Sequence, residues 1–327
     1  MNFDRLPNHI CLQIVHKLPF DQQIRLARVS RRFEEISRLA VSHTEKFNLT
    51  DYAVCRMDLL TLWKILNLIA RNLKIVTFDF SYPADFYPMI DAWLIKERLK
   101  IASEFEYPRL TSIKLLLSKY LEPNSIRELL SNCPNLRKLE WYSPPNKFPD
   151  IMCPKIEVVD IRYCTREFFE SLADVCPNIN SINVGMLWSA KPWELVWNEF
   201  FEKRPEMDSV KITCLPYEGD NSTDFEWKTM PSFWREASLK SLSLDMNVIG
   251  RTIAKISASF RHLQFLQLVA GAGADSLASQ DIAYLSNLAC LRELCICRFD
   301  IKNDDDAGFF LIARKCTKLE VVNLTYS

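Results

Sequence analysis

Apolar residues recur along most of the chain in one short pattern, apolar-x-x-apolar-x-apolar. The copies open at Leu73, Leu110, Leu136, Ile156, Ile179, Met207, Leu239, Leu263, Leu291 and Leu319, and the last reads Leu319-x-x-Val322-x-Leu324. A strand sends alternate side chains to opposite faces, so the apolar positions of each copy point inward and the residues between them point out. One face of every strand is core and the other is display. Between the strands the spacing becomes helical, as in Ile126, Leu129 and Leu130, then Phe168, Phe169 and Leu172, then Ile253, Ile256 and Phe260. Ile282, Leu285 and Leu288, and finally Phe309, Phe310 and Ile312, continue the series. Each repeat reads as strand plus helix.

Successive copies open 20 to 37 residues apart, most of them near the leucine-rich-repeat period. The expected fold class is therefore α/β: a leucine-rich-repeat solenoid, a horseshoe of about ten irregular repeats over residues 73–327, which exposes a long surface instead of closing around one pocket. Cys133-Pro134-Asn135-Leu136, Cys153-Pro154-Lys155-Ile156, Cys176-Pro177-Asn178-Ile179 and Cys316-Thr317-Lys318-Leu319 introduce four of the strands. Proline there ends the preceding helix, and cysteine is a compact apolar filler. After the strand, Cys164 and Asn247 stand where the repeat calls for asparagine or cysteine, whereas Pro144, Leu187 and Gly271 do not fit. The two longest intervals hold a possible longer helix around Ile90, Trp93, Leu94 and Ile101, and an exposed loop from Pro216 to Asp224. Near that loop, Trp188, Trp193, Trp197, Trp227 and Trp234 are either packing residues of irregular repeats or anchors for a partner.

Residues 1–41 break the pattern, and 42–72 read as a connecting helical segment. Leu6, Ile10, Ile14 and Leu18 recur every four residues behind Pro7, which predicts one short amphipathic helix. A second follows Leu18-Pro19-Phe20, with Asp21 as candidate cap and Ile24, Leu26, Ala27 and Val29 as its apolar set; Ser30 caps a third carrying Phe33 and Ile36. Three such helices bury little by themselves, so the module should dock against the solenoid or another chain.

Phe3-Asp4-Arg5-Leu6-Pro7-Asn8-His9-Ile10, then Ile14 and Leu18-Pro19, then Leu26-Ala27-Arg28-Val29-Ser30-Arg31-Arg32-Phe33 resemble an F-box through all three helices. With the repeats behind it, the chain resembles an F-box and leucine-rich-repeat protein. The resemblance implies a module that binds the Skp adaptor of a Skp-cullin-F-box ubiquitin ligase, and repeats that recruit a protein substrate. By position it makes Leu6, Pro7, Ile10, Ile14, Leu18, Leu26 and Val29 candidates for the adaptor contact and for the module's own core, two roles the sequence leaves unseparated. Arg25, Arg28, Arg31 and Arg32 read as a solvated helix face, because Glu34 and Glu35 follow and no aromatic platform for nucleic acid accompanies them.

Composition narrows the partner. The chain has 327 residues, and lysine plus arginine equals aspartate plus glutamate at 41 each, so no single-sign field favours nucleic acid or an anionic membrane. A protein partner is the default. Met1 to Pro7 lacks the apolar centre of a signal peptide, and no apolar run approaches the roughly 20 residues of a membrane span, which predicts a cytoplasmic or nuclear protein. Eleven cysteines fit as reduced thiols, and the glycosylation-like triplets at Asn48, Asn221 and Asn323 read as chance.

Catalytic chemistry is sparse. Six glycines form no phosphate-cradling motif, and His9, His16, His43 and His262 offer little for acid–base work. Cys295-x-Cys297, with Cys290 nearby, lacks the second pair a zinc site needs, and Asn303-Asp304-Asp305-Asp306 lacks an EF-hand's glycine and final glutamate; these carboxylates read as complementing the dipole of the helix that follows. No cofactor or metal is expected. The reading is a non-catalytic substrate receptor whose adaptor links it to a cullin. Its outward strand residues Lys114, Glu140, Tyr142, Asp160, Arg162, Lys211, Asp245, Phe265 and Gln267 are candidates to bind the target. The alternatives are a repeat scaffold or inhibitor without ligase activity and, more distantly, a cysteine-dependent enzyme.

Overall fold

The structure, a computed structural model, describes residues 6–18, 20–48, 58–79, 92–116, 123–187, 193–204, 206–215, 224–225, 238–245, 247–248, 250–270, 277–299 and 307–325. The chain divides into two compact units, Met1–Pro145 with Pro149–Lys155, and Asn146–Phe148 with Ile156–Ser327.

The first unit opens with three helices, α1 (Asn8–His16), α2 (Phe20–Leu26) and α3 (Arg31–Ser42). Pro7 sits at the N-cap of α1, and the Ser30 hydroxyl accepts the Phe33 amide at 3.3 Å to cap α3. α2 begins at Phe20, so Asp21 falls inside its first turn and does not take the expected cap position. Next come β1 (Lys46–Asn48), α4 (Leu59–Ile69), β2 (Ile75–Asp79), α5 (Ala92–Ser103), β3 (Ser112–Leu116), α6 (Pro123–Ser131) and β4 (Lys138–Tyr142). The strands pair in parallel in the order β1-β2-β3-β4. Thus the segment expected to be only helical also contributes the first strand. The Asp58 carboxylate caps α4 through the Thr61 amide at 2.8 Å. The module packs onto this sheet, with Phe20 edge-on to Phe47 of β1 at 5.2 Å between ring centres.

An asparagine just past one helix finishes the helix before it. The last carbonyls of a helix have no partner within it. Asn72 donates to the Ser42 carbonyl at the end of α3 at 2.7 Å, and Asn132 donates to the Ser103 carbonyl at the end of α5 at 2.6 Å. The first bond ties the helical module to the segment that follows it, and the second ties neighbouring repeats together.

The second unit runs β5 (Val158–Cys164), α7 (Arg166–Val175), β6 (Ser181–Leu187), α8 (Trp193–Glu202), β7 (Ser209–Leu215), β8 (Asp224–Phe225), β9 (Ser241–Asp245), β10 (Asn247–Val248), α9 (Gly250–Ser259), β11 (Phe265–Val269), α10 (Ser279–Tyr284), β12 (Glu293–Cys297), α11 (Ala307–Lys315) and β13 (Val321–Thr325). Its sheet is parallel in the order β5-β6-β7-β9-β11-β12-β13, while β8 and β10 pair separately. In each unit parallel strands alternate with helices, the α/β leucine-rich-repeat architecture expected from the sequence, and in the first unit the helical module precedes them.

Its core follows the apolar pattern. The three apolar positions are buried in each of the first nine copies, from Leu73, Val76 and Phe78 to Leu291, Leu294 and Ile296. The tenth differs: Val322 is 49% exposed, because no further strand lies beside β13 among the described residues. Phe310, expected in the core, is 72% exposed on α11, whereas Ile312 is buried. Trp197 is fully buried and meets Phe169 at 4.6 Å, Phe201 at 5.6 Å and Phe200 at 5.9 Å, which gives it the packing role of the two proposed. Trp193 opens α8. Trp188, Trp227, Trp234, Ile90, Asn221, most of the Pro216–Asp224 loop and Asn303 to Asp306 lie outside the described residues.

Arg204, just past α8, is buried and points back at α7. It donates to the carbonyls of Ala173 and Cys176, the latter at 2.9 Å, and its guanidinium lies 4.3 Å from the centre of the Phe200 ring. Burial lowers its pKa, yet three carbonyls and an aromatic face take the place of a carboxylate partner. Cys133, Cys176 and Cys316 are buried as expected of fillers. Cys153 is only half-buried, since no helix lies between β4 and β5 for it to terminate. That copy is strand plus loop.

Ser143, Tyr163 and Arg298 adopt positive φ of 55°, 56° and 63°. Each stands two residues past the third apolar position of its copy, so the backbone turns the same corner three times at a cost of about 1–2 kcal/mol per residue. At Tyr163 this coincides with a register shift in the β5–β6 ladder between Ile161 and Cys164.

Candidate interaction surfaces

The helical module separates two apolar stripes that the sequence left merged. Cys11 and Val15 of α1, 2% and 1% exposed, pack with Ile36 and Ala40 of α3, and half-buried Leu6, Leu12 and Leu26 close around them. Ile10 and Ile14 therefore lie on a different flank of α1. Ile14 is 41% exposed, Ile10 and Leu18 are half-buried, and Pro7 is exposed. Val29, in the turn after α2, is 67% exposed. Of the seven candidates, Leu6 and Leu26 join the core, while Pro7, Ile14 and Val29 face solvent. Cys11, Val15 and Ala40 were missed. Cys11 and Val15 are also four residues apart, so helical spacing alone admitted either stripe.

Arg32 corrects the reading of the basic cluster. It donates to the Asn8 side chain at 2.9 Å and to the Leu6 carbonyl, and it approaches the Cys11 sulfur at 3.8 Å. It fastens the start of α1 to α3, where Arg31 remains exposed in a loose pair with Glu35 at 3.9 Å. Such a surface pair contributes little.

The strands carry the second surface, and register aligns its residues into rows. In the first unit Thr77, Lys114 and Glu140 stand side by side. Lys114 lies 3.4 Å and Lys138 2.7 Å from the Glu140 carboxylate. Partial burial works against ionisation of Glu140, but the two lysines outweigh it and hold its carboxyl below the ordinary range. Tyr142 ends β4, half-buried.

In the second unit the matching row is Asp160, Asn183, Lys211, Ser243, Gln267, Cys295 and Asn323. Ser243 donates to the Gln267 side-chain oxygen at 2.9 Å. Phe265 begins β11 and Asp245 ends β9, both half-buried, and Arg162 is exposed at the register shift. The row adds Asn183, Ser243, Cys295 and Asn323 to the expected set, and the same outward strand position would have identified them.

Two thiols meet on this face. Cys295 and Cys297 lie with sulfurs 3.6 Å apart; burial first, then the neighbouring thiol, pushes Cys295 up to about 11. Desolvation pushes Cys133 up to about 12 and raises Cys164 and Cys316 as well. Protonated thiols are poor nucleophiles at neutral pH. Among the described residues, no three His, Cys, Asp or Glu side chains gather to hold a metal ion, and no helix is long and apolar enough to cross a membrane.

Comparison with known proteins adds one family. The F-box-like family model matches residues 3–40. Among solved structures, the leucine-rich repeat-containing protein LegL7 from Legionella pneumophila is similar at 12% identity over 86% of this chain and 83% of that one, with a TM-score of 0.43. No curated protein matches by sequence.

Proposed function

We propose that this F-box and leucine-rich-repeat protein is a substrate-recognition subunit of a Skp-cullin-F-box ubiquitin ligase. The observation that carries the proposal is the solvent-facing apolar set Pro7, Ile14 and Val29 on a module whose core is already complete without it. Apolar surface held outside a finished core is a cost in water unless a partner covers it. The Skp-type adaptor supplies that cover, through Pro7, Ile10, Ile14, Leu18 and Val29, and brings the cullin with it.

The outward strand rows bind the target. Their mix of charged, amide and aromatic groups suits a protein surface, and the chain's balanced charge disfavours nucleic acid. The contribution to ubiquitin transfer is proximity: a target lysine tethered near a charged ubiquitin-conjugating enzyme meets it far more often than a free one. No covalent step on this chain is required. Such a receptor works in the cytoplasm or nucleus, where the ligase is found.

Affinity capture with and without residues 1–41 tests the assignment. Adaptor and cullin should accompany the full chain and vanish with the module. Retention of both after its removal would overturn the proposal, and a biological effect independent of the module would favour a repeat scaffold or inhibitor. Reversing Asp160 and Arg162 together should weaken capture of an identified target by about tenfold. Unchanged capture would discard that part of the surface.

A further inference from the structure

We propose that Cys295 and Cys297 on β12 form an open binding site for a thiophilic divalent cation of the zinc class. The two residues are i and i+2 of one strand, which puts them on one face but about 6.6 Å apart along it. Their sulfurs nevertheless meet at 3.6 Å, so both side chains lean toward one point. A tetrahedral ion with zinc–sulfur bonds of about 2.3 Å holds two sulfurs about 3.8 Å apart. The pair stands close to that spacing.

The neighbouring strand brings oxygen to the same place. Register sets Asn323 beside Cys295 and Thr325 beside Cys297. The Thr325 hydroxyl lies 3.7 Å from the Cys297 sulfur, near the span of about 3.6 Å between a sulfur and an oxygen ligand of one tetrahedral ion. That hydroxyl donates its proton to the Asn323 side-chain oxygen at 2.9 Å, which leaves its lone pairs available. Two sulfurs and one oxygen make three donors, and water takes the fourth position, as in other open zinc sites. The missing second cysteine pair rules out a closed structural site, not this one.

Softness selects the ion. Thiolate ligands favour zinc and its heavier relatives over magnesium or calcium. Net charge does not decide, because exposed Glu293 on the same face and exposed Arg298 just past Cys297 offset each other. Burial first, and then the neighbouring thiol, resists ionisation of Cys295, since two thiolates this close repel. A divalent ion takes both thiolates at once and cancels their charge. Binding replaces two S–H bonds with two metal–sulfur bonds and releases two protons to the buffer. Two negative sulfurs and one doubly positive ion leave the site neutral.

The test titrates the reduced full chain with cadmium chloride at neutral pH, read by the sulfur-to-cadmium charge-transfer band, and with zinc chloride by calorimetry in two buffers of different ionisation enthalpy. One ion should bind per chain at micromolar concentration, with about two protons released. Cys295→Ser and Cys297→Ser, conservative changes at half-buried positions, should each weaken binding at least hundredfold with circular dichroism unchanged. Cys290→Ser, half-buried in the turn before β12, should leave binding intact. If either β12 variant does not fold, alkylation of the parent by iodoacetamide replaces it: the ion should protect Cys295 and Cys297 together, and neither Cys153 nor Cys290. Absence of saturable binding, full binding by both β12 variants, release of no protons, or loss of binding in Cys290→Ser would each overturn the proposal. None of these outcomes depends on adaptor binding, so the site and the proposed ligase role fail or stand separately.

Discussion

The repeat array and the helical module solve the same problem, where to put apolar side chains, with opposite degrees of commitment. In the array every strand has two faces and a period of two, so an apolar residue at Val76 or Leu294 has one place to go, and that place is core. In the module, α1 is apolar on more than one flank: Cys11 and Val15 turn in while Ile14 stays in water. The buried strand positions of the array point to stability. A second face that remains after the core is complete points to a partner.

The sharpest way to break this contrast is at the centre of the array. Replacing Trp197 with alanine removes the hub of the Phe169, Phe200 and Phe201 cluster and should cost about 3–5 kcal/mol, read as a lower urea midpoint. A cost below about 1 kcal/mol would mean that the cluster is loosely packed. Within the module, Val15→Ala should cost about 1–3 kcal/mol, whereas Ile14→Ala, one residue away, should stay within about 0.5 kcal/mol. Equal losses in thermal melts would erase the distinction between the stripes.

The smallest effect concerns pH. Glu140 has a folded pKa below its unfolded value of about 4.3, so its lysine contacts stabilise fully above that value and the contribution fades as pH falls through the folded pKa. Glu140→Gln should therefore lower stability slightly at pH 7 and converge with the parent at low pH. A difference that grows on acidification would have the wrong sign. The effect is modest because both lysines are partly exposed.

How much was legible in the sequence follows from the same contrast. The strand positions could be read almost residue by residue, since a one-place slip would expose Leu139 or Ile212 to water. The F-box-like match at residues 3–40 was readable from Leu6-Pro7 and the Val29-Ser30-Arg31-Arg32 close. The division of labour on α1 was not, because four-residue spacing describes Ile10–Ile14 and Cys11–Val15 equally well, and only the direction of α3 decides between them. Cys153 misled for a related reason. Its Cys-Pro motif copies the turns that follow helices, but the short copy has no helix, so the thiol gains a half-exposed site in place of a buried one. Arg204 carries no sequence signal at all; its role depends on where the end of α7 lies.

The most direct test of the central claim is the affinity of the purified chain for a Skp-type adaptor, measured by calorimetry for the parent and for Ile14→Asp combined with Val29→Asp, with thermal melts alongside. The account predicts tight binding by the parent, a loss of at least a hundredfold in the variant, and melting temperatures within a few degrees of each other. Binding unchanged by both substitutions, or a folded parent that does not bind the adaptor at micromolar concentration, would contradict it.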